Sequence, residues 1–172
     1  PMVKTVPQTN HVSAWSFYPD PEATSMDDAE YVVERHKMSR SQLRGLKQRP
    51  YFMEDEIQTA IEMGPDYQLK HWEQTMADDD TTVSESERWE VLEFWGYVDT
   101  EVLEENGVNI PSEYKKMDEI NCNIWTCNGR VLRIVLNPFK PSRIPYYAVP
   151  YEHNPYSFFG VGIAENMDDT QT

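Results

Sequence analysis

The chain has 172 residues, of which 39% are hydrophobic and 12% aromatic, and its formal net charge is −15. This length fits one domain of ordinary size, and the aromatic side chains can build its core although the hydrophobic fraction is low. No apolar run reaches the ~18–20 residues of a membrane span, and the short polar N-terminus does not predict a signal peptide.

The acidic excess is concentrated in the middle of the chain. Residues 51–120 carry 20 acidic and four basic side chains, whereas residues 1–50 and 121–172 are nearly neutral. Such a surface repels phosphate, which disfavours binding in a nucleic-acid groove. It suits a surface past which nucleic acid moves without sticking, or it serves solubility alone.

The first part of the chain is predicted to be mainly helical. Residues 11–18 alternate as in a short strand, and a Pro-rich turn follows at 19–23. Ser25 and Asp28 resemble a capping box, which predicts a helix over residues 27–38.

Two further helices are predicted in the N-terminal half. One begins at Ser39 or Ser41 and ends near residue 48, because Pro50 prevents its continuation. The other covers residues 54–63 and ends at Gly64-Pro65. Its apolar stripe consists of Ile57, Ala60 and Ile61.

The second part of the chain is predicted to be mainly β-structure. A helix over 67–76 and an acidic loop over 78–87 precede a strand over 88–98. A short helix over 100–106 follows and is closed by Gly107. Asn128-Gly129 joins two β-rich runs as a hairpin, because both turn residues need positive φ. A last strand is predicted over 145–151.

This order predicts an α+β fold, with N-terminal helices followed by an antiparallel β-meander and the start of a C-terminal helix. We expect residues 1–87 to form a helical part with an acidic linker, and residues 88–172 to form the β part. Together they are expected to make one domain of a longer protein.

The sequence contains no strong catalytic or metal-binding motif. Phosphate loops, nucleophile elbows and His-Glu-x-x-His are absent, so we predict no enzyme, cofactor or metal site. One enzyme class is considered as an alternative. A metal-dependent hydrolase would have to use the carboxylates of Asp78–Asp80 or Asp168-Asp169. The remaining candidates are the scattered histidines, His11, His36, His71 and His153, and two thiols, Cys122 and Cys127. The thiols are predicted to be unpaired, and their odd spacing puts them on opposite faces of a strand or places one of them near a turn.

The C-terminal stretch is rich in aromatic side chains. It could stack nucleic-acid bases, but Arg143 is its only basic residue, which favours packing within a sheet or against another subunit. The aromatic residues concerned are Tyr146, Tyr147, Tyr151, Tyr156, Phe158 and Phe159.

The order of motifs in this stretch is similar to that of a known family. Tyr146-Tyr147-Ala-Val-Pro-Tyr151 leads to Phe159-Gly160-Val-Gly162 and then to a helix start containing Asp168 and Gln171. The turn at 17–23 and the strand Glu90-Val-Leu-Glu93-Phe-Trp-Gly stand upstream. This pattern resembles portal proteins of tailed bacteriophages, particularly those of short-tailed phages and prophages.

The resemblance implies a structural subunit of a ring, usually of twelve copies, at one capsid vertex. Double-stranded DNA would pass through the ring without sequence-specific binding, and capsid, terminase and tail proteins would be partners. The protein would belong to the virion and assemble in the host bacterial cytoplasm. The chain would correspond to the wing of the portal, with Gly160 and Gly162 as a hinge to a stem.

Ring closure joins complementary surfaces head to tail. Opposite charge suggests Arg40, Arg44 and Arg49 on one side of that interface, and Asp78, Asp79 and Asp80 on the other. The alternative is a stand-alone phage or bacterial adaptor that binds proteins through its aromatic segment and acidic face.

Overall fold

A computed structural model describes residues 8–76 and 87–168. Five antiparallel strands form one sheet, and each strand pairs with its neighbours in sequence. The predicted antiparallel meander and α+β class are therefore confirmed. The strands are β1 (Phe17–Pro19), β2 (Tyr31–Met38), β3 (Trp89–Asp99), β4 (Glu119–Cys127) and β5 (Arg130–Leu136).

The helices are short and are inserted between or after the strands. Three of them separate β2 from β3, one separates β3 from β4, and one follows the sheet. The prediction that helices come before strands is wrong, because β1 and β2 precede the first α-helix. The helices are α1 (Arg40–Gly45), α2 (Glu54–Glu62), α3 (His71–Met76), α4 (Thr100–Glu105) and α5 (Ile163–Asp168).

The predicted helix over residues 27–38 is instead strand β2. The carboxylate of Asp28 accepts hydrogen bonds from the backbone and hydroxyl groups of Thr24 and Ser25, as a capping residue would, but it closes a turn. Tyr31, Val32 and Val33 favour a strand, and β2 pairs with β3 along its whole length. Long-range pairing therefore overrides the local helix signal.

The predicted first strand is shorter than expected and begins later. Residues Ala14–Ser16 form a 3-10 turn, in which the hydroxyl of Ser13 accepts a hydrogen bond from the backbone N–H of Trp15. This local side-chain bond competes with extended structure. Strand β1 then starts only at Phe17.

Helices α1 and α2 confirm the two predicted helices that follow. Ser39 caps α1 with a capping box to Gln42, and a 3-10 turn (Leu46–Gln48) extends it. The predicted stripe of α2 is buried, and Gly64 after it has a φ of 93°. This conformation suits glycine and ends the helix.

The two predicted turns in the β part are also found. Asn128 and Gly129 have φ angles of 51° and 69°, so the β4–β5 hairpin has the predicted turn. Helix α4 ends before Gly107, which has a φ of 76°. In contrast, the predicted strand over residues 145–151 is absent. Pro145 and Pro150 lack the N–H donors that a strand needs.

One face of the sheet, called the helical face here, is covered by α1 and α2. The core beneath these helices contains mainly aliphatic and aromatic side chains. Each fully buried Leu or Ile contributes about 1.5–3 kcal/mol. The core residues are Leu43, Leu46, Phe52, Ile57, Ala60, Ile61, Trp89, Val91, Trp125, Cys127 and Leu132.

The opposite face carries a second, smaller core and a charged network. Leu103 of α4 and Ile110 pack there against Ile120 and Cys122. Cys122 and Cys127 thus lie in different cores on opposite faces, as predicted, and neither forms a disulfide. Burial raises the pKa of Cys122 to about 11 and that of Cys127 to about 12, so both remain protonated at neutral pH.

Arg35 anchors the segment that carries α3 to this opposite face. Its guanidinium pairs with Glu90 of β3, lies 3.5 Å from Oε2 of Glu73, and stacks 4.1 Å from the ring centroid of Tyr67. Burial alone would lower the pKa of Arg35, but its hydrogen bond and charge pairing with Glu90 raise it. A buried charge with these partners fixes residues 66–76 on the sheet.

Strands β1 and β2 lie before residue 88 and strands β3 to β5 lie after it, and all five belong to one sheet. The division of the chain into a helical part, residues 1–87, and a β part, residues 88–172, stays a prediction. The predicted acidic loop lies mostly within residues 77–86, outside the described part of the chain. No helix among the described residues is long and apolar enough to cross a membrane.

Candidate functional site

A polar cluster lies on the helical face, beyond the end of the apolar core. Glu34 of β2 stands directly opposite Glu93 of β3, and His36 is two residues from Glu34 on the same face. The exposed fractions of these side chains are only 16%, 13% and 23%, respectively. Two carboxylates and one imidazole therefore share a largely buried position.

The imidazole lies between the two carboxylates. Its Nε2 is 3.0 Å from Oε2 of Glu93, and its Nδ1 is 3.5 Å from Oε1 of Glu34. The His36 ring stacks on Trp125 with 5.0 Å between centroids and an angle of 9° between planes. Stacking on a buried tryptophan holds the imidazole in place.

The outward oxygens of both carboxylates accept hydrogen bonds from neutral groups. The hydroxyl of Tyr146 donates to Oε2 of Glu34 at 2.6 Å. The indole N–H of Trp95 and the amide of Asn123 donate to Oε1 of Glu93, at 2.8 and 3.0 Å. Burial, together with the charges of Glu93 and Glu34, raises the pKa of Tyr146, so its hydroxyl keeps its proton.

Sequence analysis did not find this cluster. In a helix, residues 34 and 36 point in different directions, so the predicted helix over 27–38 separated them. If residues 34–36 had been predicted as a strand, the side chains of Glu34 and His36 would have been placed on the same face. The partner Glu93 depends on the β2–β3 register, which no short sequence pattern contains.

The three arginines proposed for an interface are exposed on and after α1. Arg40 and Arg44 belong to the helix, and Arg49 follows its 3-10 extension. Within residues 8–76 and 87–168, no ion pair involves any of the three. The guanidinium of Arg40 lies 5.9 Å from the ring centroid of Trp89. The place of the three arginines in an interface stays a prediction. The acidic counterpart, Asp78–Asp80, lies outside the described residues.

The two glycines proposed as a hinge differ in their surroundings. A Cβ on Gly160 would overlap the carbonyl oxygen of Glu152 and lie 2.5 Å from Cβ of Pro150, whereas one on Gly162 meets nothing within 4 Å. Beside Gly160, the N–H of Val161 donates to Glu152 at 3.0 Å. Close approach of two backbone segments thus requires glycine at 160 only. Hinge motion stays a prediction.

We expect Gly160→Ala to loosen this contact and Gly162→Ala to leave it intact. Forcing one extra carbon into a packed contact costs about 1–3 kcal/mol. Hydrogen exchange at the Val161 amide measures the effect, and it should accelerate only in the Gly160 variant. Equal exchange rates in both variants would show that the close approach of Gly160 to Glu152 does not stabilise this contact.

The aromatic C-terminal segment is divided between packed and exposed side chains. Tyr146 and Phe158 contact Phe17, with centroid distances of 5.1 and 5.8 Å. In contrast, Tyr147 and Tyr156 are 82% and 92% exposed. The segment therefore lies across β1 through a few anchors and presents other aromatic rings to solvent.

The other predicted candidates do not come together in a site. His11, His71 and His153 are exposed, and none of them belongs to a group of potential metal ligands among the described residues. Asp168 is exposed at the end of α5, and Asp169 lies outside the described residues. Among the candidates that the structure describes, only His36 joins a cluster, with two glutamates that the sequence did not single out.

Comparison with known families gives the class of the protein. A family model described as the Phage SU10 portal protein matches residues 2–172, so this is a phage portal protein, a structural class of virion component. The chain belongs to the SU10 portal protein family. The predicted resemblance to phage portals is therefore confirmed. No curated protein matches the chain.

Proposed function

We propose that the chain is the wing part of a subunit in a portal ring, usually of twelve copies, at one capsid vertex, through which DNA is packaged and ejected. The observation that carries this proposal is the family match over residues 2–172. Capsid, terminase and tail proteins are its proposed partners, and the virion, assembled in the host cytoplasm, is its proposed location.

The charge distribution disfavours retention of DNA on the surface of this part of the ring. Residues 51–120 contain 20 acidic side chains, and repulsion between carboxylates and phosphates opposes non-specific adhesion. A ring that transports DNA must not bind it tightly. The same surface gives no support for sequence-specific DNA binding.

Two exposed surfaces support contacts between neighbouring subunits. The first is the basic surface of Arg40, Arg44 and Arg49, which has no acidic partner among the described residues. The second consists of exposed aromatic and aliphatic side chains in the C-terminal segment, and aromatic residues are enriched at protein interfaces. Its members are Tyr147, Val149, Tyr151, Tyr156 and Phe159. In a head-to-tail ring these surfaces meet different, complementary surfaces of the next subunit.

The function is tested by an early amber codon in the gene of the phage that encodes this chain. In a non-suppressing host, we expect capsids without packaged DNA, and a plasmid copy of the gene should restore DNA-filled heads. The same amber codon in a suppressing host is the matched control. DNA-filled heads without the protein would contradict the portal role and favour an adaptor that acts after packaging.

A further inference from the structure

We propose that Glu34, His36 and Glu93 form a binding site for a divalent transition-metal ion, with Zn²⁺ as the best fit. One ligand atom from each residue can be chosen so that all three lie within 4.8 Å of one another. Zinc bonds of about 2.0–2.2 Å in tetrahedral geometry place ligand atoms about 3.3–3.5 Å apart. An ion bound by Nε2 of His36 and Oε2 of Glu93 would require the carboxylate of Glu34, which now faces the other ring nitrogen, to move toward it.

The first argument is electrostatic. Like charges directly opposite each other on neighbouring strands destabilise a sheet, and Glu34 and Glu93 occupy such a pair of positions. Both side chains are largely buried, so water screens their repulsion poorly. A cation held by both carboxylates and by one nitrogen of the imidazole would convert this repulsion into attraction.

The second argument comes from the hydrogen bonds around the carboxylates. Tyr146 binds only the outer oxygen of Glu34, while Trp95 and Asn123 bind only the outer oxygen of Glu93. The inner oxygens both face the imidazole. Metal-binding carboxylates are typically oriented by such outer hydrogen bonds.

A third, independent observation is an unsatisfied buried acceptor at the cluster. Asn123 is 1% exposed, its Nδ2 donates to Glu93, and its Oδ1 has no hydrogen-bond partner. Most buried polar atoms in proteins have a partner, so an orphan acceptor indicates a missing donor. A water molecule bound to the ion is the donor that we propose. Trp125, on which His36 stacks, likewise has a buried Nε1 without a hydrogen-bond partner among the described residues.

The donor set selects the kind of ion. One imidazole nitrogen and two carboxylate oxygens suit zinc, whereas calcium and magnesium prefer ligand sets made only of oxygen. Three protein ligands also leave one position of a tetrahedral ion for water. Because Tyr146 touches Glu34, the ion would stabilise the attachment of the C-terminal segment to β2.

Calorimetric titration of chelator-treated full-length protein with zinc chloride tests the site. We expect one zinc per chain, with metal content after dialysis confirming the ratio, and a higher melting temperature. Glu93→Gln and Glu34→Gln should each weaken binding at least about 100-fold, since even changes to outer partners of metal ligands cost about 10–100-fold. His36→Ala should abolish binding.

Two matched variants control for adventitious binding. His153→Ala removes an exposed histidine, and Glu56→Gln removes a carboxylate that pairs with Arg130. Both should bind zinc like the wild type. The glutamine variants keep the size of the side chain, and circular dichroism without zinc shows whether they remain folded.

Two results would overturn the proposal. One is zinc binding that is equally strong in the wild type and in the folded glutamine variants. The other is no stoichiometric zinc binding at all.

Discussion

Replacing Trp89 by alanine is expected to lower the free energy of unfolding by about 3–5 kcal/mol, the usual cost of deleting a buried aromatic side chain. Trp89 is 1% exposed and lies where β3 meets α2. Its indole N–H donates to the carbonyl of Ala60 at 3.1 Å. The substitution leaves a cavity and removes one of the two hydrogen bonds to this carbonyl, which also accepts from Nδ2 of Asn128 at 3.0 Å.

Urea denaturation of the two proteins measures this effect. Tyr97→Ala is the matched control, because Tyr97 is on the same strand but is 54% exposed. Its cost should stay near or below about 1 kcal/mol, the range of strand preferences. Equal losses for Trp89 and Tyr97 would contradict the packing of α2 on β3 described here.

Reversing the charge of Arg40, Arg44 and Arg49 together to glutamate is expected to impair ring assembly of the full-length protein. The three side chains are exposed, so folding should be little affected. If they face acidic residues of the next subunit, reversal replaces attraction with repulsion of several kcal/mol. The concentration for half-maximal assembly should rise at least about tenfold, equivalent to 1.4 kcal/mol.

Light scattering over a range of protein and salt concentrations measures assembly. The matched control reverses Lys115, Lys116 and Lys140, three exposed charges outside the basic surface. This control should assemble like the wild type, and added salt should weaken wild-type assembly. Unchanged assembly of the arginine variant would show that the basic surface is not part of the interface between subunits.

The elements predicted well are those whose signals are local. The β4–β5 hairpin was predictable because Asn128 and Gly129 alone supply the positive φ angles of the turn. Helix α2 was predictable because its apolar stripe repeats with helical spacing and ends at Gly64. Both signals lie within the segments that they organise.

The errors arose where distant residues decide the structure. The capping signal of Ser25 and Asp28 predicted a helix over residues 27–38, but pairing with β3 makes residues 31–38 a strand. The Pro-rich segment after residue 144 looked like a strand because of its aromatic residues. In the structure its Tyr146 instead packs on Phe17 across the helical face.

The candidate metal cluster illustrates the same limit at the level of function. His36 was visible in the sequence as one of four scattered histidines. His36 and Glu93 are 57 residues apart in the sequence, and only the register of β2 and β3 brings them together. The family resemblance was recoverable because it depends on the order of motifs along the chain.

Electron microscopy of the full-length protein tests the central claim most directly, since that claim is membership of a portal ring. We expect closed rings, usually of twelve subunits, with a central channel and with the five-stranded sheet at the outside of the ring. Particles without a channel, or a protein that stays monomeric at all concentrations, would contradict it.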